Sequence, residues 1–124
     1  MPVPILKQGD TLIASVVAAL TDDDLIQLRD DLAQRIGKVR ARSVVIDVTA
    51  LDVLDSFATR TLRGIAYTAR LRGAETVIVG IQPEVAFAMV QLGMNFEDVH
   101  TALDLEEGLA LLEQITEESG KRGE

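Results

Sequence analysis

The chain has 124 residues, 48% of them hydrophobic, which is enough apolar material for one ordinary domain with a packed core. A formal charge of −8 and an aromatic content of 3% argue against nucleic-acid backbones, anionic membrane surfaces and base-stacking platforms as partners. The absence of cysteine removes disulfide frameworks and thiolate metal sites and suits a reducing cytosol.

Val3 to Lys7 and Thr11 to Val17 are short apolar runs separated by Gln8-Gly9-Asp10, which predicts a hairpin. Thr21-Asp22-Asp23-Asp24 opens a helix: the threonine can cap it, Asp24 can reach back, and the aspartates suit the positive end of the dipole. Leu25, Leu28, Leu32 and Ile36 form its apolar stripe, and Gly37 fits its stop. Ser43 to Val48 is β-branched and short, the pattern of a strand buried on both faces. The segment from Leu51 to Thr59 leads from that strand into a second helix. That helix places Ala58, Leu62, Ile65, Ala66 and Ala69 on one face and ends near Gly73.

Thr76 to Ile81 is a further buried strand, Pro83 suits the first turn of a third helix, and Gly93 follows that helix. A short strand at Val99 to Ala102 precedes a last helix from about Asp104, striped by Leu105, Leu109 and Leu112. Glu117 to Glu124 is polar and is expected to fray. The fold class is therefore α/β, a mixed and mostly parallel sheet of about five strands covered by about four helices. Residues 1–116 are expected to form a single domain, with 117–124 as a flexible tail. No apolar run reaches the roughly 18 residues that span a bilayer. The N-terminus lacks the basic and long apolar regions of a secretion signal, so a soluble cytoplasmic protein without membrane partners is expected.

Catalytic patterns are scarce. There is no phosphate-cradling glycine loop and no nucleophile elbow. His100 is the only histidine, which rules out His-pair metal sites and weakens any serine triad; a plain position at a strand edge suits it best. A phospho-aspartate receiver would share the size and the α/β alternation, with Asp47 at the end of a central strand. That chemistry needs Mg²⁺ held by converging acids, and Asp22 to Asp24 read better as a helix start, while the segment after the last short strand, Thr101-Ala102-Leu103-Asp104, has no lysine. Asp47 is expected to be a polar strand terminus. Neither a metal nor a cofactor is implied, and no enzymatic activity.

Ser56 is the residue with two readings. A serine before an apolar helical stripe can be the N-cap, and it can also carry a phosphate at the positive end of the helix dipole. Phosphorylation would add about −1.5 to −2 charges beside free backbone N–H groups. Asp52 and Asp55 would add like charge on the outer surface, so a partner docked there would be repelled. Arg60, Arg63, Tyr67 and Arg70 recur along the opposite face of the same helix, a local basic ridge in an acidic chain or an ordinary solvated face. Thr59 and Thr61 are secondary hydroxyl candidates, Thr59 being nearer the helix start.

Val44-Val45-Ile46-Asp47-Val48-Thr49 followed by Leu54-Asp55-Ser56-Phe57 resembles the STAS domains of bacterial anti-anti-sigma factors. The similarity is closer to stressosome scaffold proteins of the RsbS type. Pro4-Ile5-Leu6-Lys7, Gly80-Ile81-Gln82-Pro83-Glu84-Val85-Ala86, and Thr101-Ala102-Leu103-Asp104-Leu105-Glu106 with Gly108-Leu109 carry it, so that it runs from about Pro4 to Leu112. The resemblance implies co-assembly with RsbR-type sensor-STAS paralogues in a large icosahedral-like core, with self-association and a dimer expected as part of that assembly. It also implies a serine/threonine kinase of the RsbT type that is held, phosphorylates the scaffold serine and leaves, and a phosphatase that resets it. On that resemblance Ser56 would be the acceptor and Asp55 the adjoining motif aspartate; the residues themselves put Asp52, Arg60, Arg63 and Tyr67 on the expected partner surface. A first strand so close to Met1 leaves no room for a sensor domain, which favours the scaffold. Alternatives are a free anti-anti-sigma factor using the same serine, or a small-ligand or nucleotide-binding STAS-like domain.

Overall fold

A computed structural model describes residues 3–122, with side chains to Glu117. β1 (Ile5–Gln8) and β2 (Thr11–Ser15) form the antiparallel hairpin, and β3 (Ser43–Asp47), β4 (Glu75–Val79) and β5 (His100–Ala102) add in parallel. The sheet order is β1-β2-β3-β4-β5, so each new strand docks beside the one before it. The helices are α1 (Asp22–Val39), α2 (Ser56–Leu71), α3 (Pro83–Gln91) and α4 (Leu105–Arg122). This is the mixed, mostly parallel α/β architecture that the strand and helix pattern calls for.

Alternation along each strand divides the core in two. Leu12, Ala14, Val44, Ile46 and Ile78 join α1, α2 and α3 in one apolar cluster. Their neighbours Ile13, Val45, Val77 and Val79 face the other way and pack with Leu112 of α4. Crossovers of one hand carry α1 to α3 to a single face of a sheet whose strands follow chain order, which leaves the second face for α4. On that face Gly108 sits where a Cβ would press into Val79 and Val77, so the glycine lets α4 lie close to the sheet.

α1 begins with a capping box. Thr21 Oγ1 accepts from the Asp24 backbone N–H, and Asp24 accepts from the Thr21 N–H, both at 3.1 Å. Hydrogen bonding from the Thr21 backbone and side chain holds the Asp24 carboxyl below its ordinary range. The helix does not stop at Gly37 as its sequence suggests; it runs on to Val39, and Arg40 takes the left-handed terminal conformation at φ 53°. Gly37 lies instead where a Cβ would collide with the Arg72 guanidinium. At the other end of the chain, backbone 117–122 continues α4 where a frayed tail is expected, and residues 123–124 of that tail lie outside the described residues.

Candidate functional site

β3 ends at Asp47, and the chain turns there by a side-chain-to-backbone lock. One Asp47 carboxylate oxygen accepts from the Thr49 N–H at 2.9 Å and from Thr49 Oγ1 at 2.6 Å. Gln82 precedes Pro83 as the N-cap residue of α3 but makes no capping bond; its amide donates to the Thr49 carbonyl at 2.6 Å. Gly80 completes the seam: its φ of +83° suits glycine, and a Cβ there would collide with the Thr49 side chain. The loops after β3 and β4 are thereby fastened to each other. Asp47 is the polar strand terminus expected of it.

Beyond the lock, Leu51 and Leu54 are buried while Asp52 and Val53 face outward. The two leucines pin the turn at both ends and deliver Asp55 to the start of α2. An apolar hollow of about 140 Å³ lies beneath, walled by Val16, Leu20, Leu25, Leu54 and Asp55 among others.

Asp55, not Ser56, is the N-cap. Its carboxylate accepts from the Ala58 N–H at 2.7 Å, and its carbonyl accepts from the Thr59 N–H at 2.9 Å. Ser56 is the first helical residue, exposed, with a hydroxyl that makes no hydrogen bond among the described residues. The cap uses the third N–H of the helix, so those of Ser56 and Phe57 have no intrahelical acceptor. An anion on Ser56 Oγ would sit at the positive helix end beside two open donors and one carboxylate.

Thr59 does not fit a modification site. It is only 2% exposed, and its Oγ1 is buried without a hydrogen-bond partner. Position 59 turns inward because it lies three residues before Leu62 and seven before Ala66, on the core side of α2. Thr61 Oγ1 donates to the Phe57 carbonyl at 2.8 Å.

Asp52, Asp55 and Ser56 share the helix-start end, with Arg60 one turn along. Arg63 and Tyr67 lie farther down α2 and belong to a different feature, an open groove of about 440 Å³ lined by Arg60, Arg63, Gly64, Tyr67, Arg70, Asp98 and Val99. Its far wall is the segment before β5, fastened by the Arg70 guanidinium donating to the Asp98 carbonyl at 2.9 Å. Sequence reasoning put the basic ridge on α2 but missed Gly64, Asp98 and Val99. The mid-helix glycine was the one signal for them. His100, on the edge strand, approaches Glu75 at 3.3 Å, the unremarkable position its sequence suggests. Among the described residues no group of three or more His, Asp or Glu side chains could hold a metal ion, and no helix is long and apolar enough to cross a membrane.

The model of the STAS domain matches residues 3–108. RsbS of Moorella thermoacetica, solved as a serine-to-glutamate variant, superposes with a TM-score of 0.80 at 36% identity, covering 93% of this chain and 97% of that one. A chain from the structure described as the molecular architecture of the stressosome gives 0.77 at 37% identity, with 91% and 98% covered. The RsbT co-antagonist protein RsbRA of Bacillus subtilis is 26% identical over 105 residues, 85% of this chain but 38% of that protein. The chain thus spans less than half the length of that curated relative. The chain belongs to the STAS domain family, within its RsbS-type stressosome group.

Proposed function

We propose that the protein is a non-enzymatic phosphoswitch and scaffold of a bacterial stressosome, which holds an RsbT-type serine/threonine kinase and releases it when Ser56 is phosphorylated. The observation that carries this reading is the exposed, unbonded hydroxyl of Ser56 at the first position of α2, beside two open N–H donors. The helix is capped without it, so a kinase can engage the hydroxyl and the fold can keep its cap. Added phosphate, about −1.5 to −2 charges, joins the exposed carboxylates of Asp52 and Asp55 on one small surface. Repulsion then acts on a docked partner and not on the core. Arg60, one turn away, can steady the phosphate or touch the partner.

The likeness to RsbS and to RsbRA, a protein named as an RsbT co-antagonist, supports the remaining partners. These are an RsbR-type sensor-STAS paralogue in a large shared assembly, and a phosphatase that resets Ser56. The test is incubation with the RsbT-type kinase and ATP, followed by mass-spectrometric mapping. Phosphate on Ser56 is expected; phosphate confined to other residues contradicts the proposal.

A further inference from the structure

The groove on α2 has the marks of an occupied surface. Three guanidiniums, those of Arg60, Arg63 and Arg70, line it against the single carboxylate of Asp98. None of the three has an ion pair among the described residues; Arg70 spends one N–H on the Asp98 carbonyl, while Arg60 and Arg63 have no hydrogen-bond partner. In a chain of net charge −8 this is a concentrated cationic site.

Its floor is Gly64, in the middle of a 16-residue helix. Glycine is the poorest helix former after proline. A Cβ at Gly64 would meet nothing within 4 Å, so no packing inside this chain requires the glycine. Gly37 and Gly108 differ on this point, since each lies against another part of the chain. What Gly64 keeps clear is the approach to the groove from outside.

The length of the site selects among anions. Arg60 and Arg70 are ten residues apart on one helix, a rise of about 15 Å. A single phosphate or carboxylate can engage one or two of these side chains. A peptide segment running along α2 can engage all three, with Gly64 allowing its backbone close and the exposed Tyr67 ring alongside. We infer that this groove docks an acidic segment of a partner protein along α2. The groove shares Arg60 with the Ser56 end, one turn away, while Arg63, Gly64, Tyr67 and Arg70 carry it farther along α2.

The probe is a synthetic helical peptide with glutamate at every fourth position, titrated into the isotopically labelled full chain and followed by NMR. Shifts centred on Arg60, Arg63, Gly64, Tyr67, Arg70, Asp98 and Val99 are expected, absent with the glutamine version of the peptide. Gly64→Leu, which fills the floor without touching charge, and Arg63→Gln should each weaken binding at least tenfold. Gly64→Ala should raise the melting temperature while weakening docking, a combination that a purely structural role does not produce. No shifts, shifts located elsewhere, or equal binding of both peptides overturn the inference. Displacement of the peptide by millimolar ATP at the same residues overturns it in favour of a small anion. Concentration-dependent shifts in the groove without peptide overturn it in favour of a second copy of the chain.

Discussion

Asp55 and Ser56 divide two tasks that a single residue could have held. The carboxylate of Asp55 closes the helix and the hydroxyl of Ser56 is left over. Their adjacency explains why the cap was not legible in the sequence: aspartate and serine are about equally good N-caps, and the apolar stripe of α2 is compatible with a start at either. Asp55→Ala is expected to destabilise the fold by about 1 kcal/mol in urea denaturation, with Asp55→Asn close to wild type and Ser56→Ala nearly neutral. A larger loss from Ser56→Ala than from Asp55→Ala would reverse the assignment. Thr59 carries a second residue-scale lesson, since its helical spacing to Leu62 and Ala66 marked it as inward-facing while its hydroxyl drew it into the list of surface candidates. Its unpartnered buried Oγ1 is a standing cost. Thr59→Val, of nearly the same shape, should therefore stabilise the protein by about 1 kcal/mol; a destabilised variant would mean that the hydroxyl has a partner.

At the scale of elements, the strands and helices were legible because their periodicities are strong. β3 and β4 are short β-branched runs, buried throughout their middle, and α1 and α2 each show one apolar stripe. Helix ends were less legible where tertiary contacts decide them. Gly37 looks like a terminator, yet α1 continues past it, and the glycine answers to Arg72 across the packed pair of helices. Gly108 likewise answers to the sheet. The two give opposite expectations for the same substitution. At Gly37 the obstacle is the tip of a flexible, exposed arginine that can swing away, so Gly37→Ala should gain up to about 1 kcal/mol of helix preference. At Gly108 the obstacles are valine methyls in a packed core, so Gly108→Ala should lose about 1–3 kcal/mol. Thermal or urea unfolding of both variants checks the pair, and a common sign would contradict the packing described for one of them.

At the scale of the whole molecule, the proposed switch and the groove lie at two stations along one helix. The start of α2 carries Ser56 among carboxylates, and the face farther along carries unpaired guanidiniums. A phosphate at the first station would change the charge of that surface and reach the groove only through Arg60, leaving Arg63 and Arg70 open. The groove was only half legible in the sequence, because its far wall comes from the segment before β5 and no helical periodicity could join Asp98 and Val99 to Arg63. On the proposed scaffold role, mixing the protein with its RsbR-type paralogue should give a megadalton-scale particle in size-exclusion chromatography. Elution at the size of a small antagonist would instead favour a free anti-anti-sigma factor.

The central claim is that charge on Ser56 governs kinase retention, and kinase capture by three forms of the protein tests it most directly. The unmodified protein and Ser56→Ala should retain the RsbT-type kinase, while protein phosphorylated on Ser56, verified by intact mass, should lose it. Equal retention by all three forms would contradict the account.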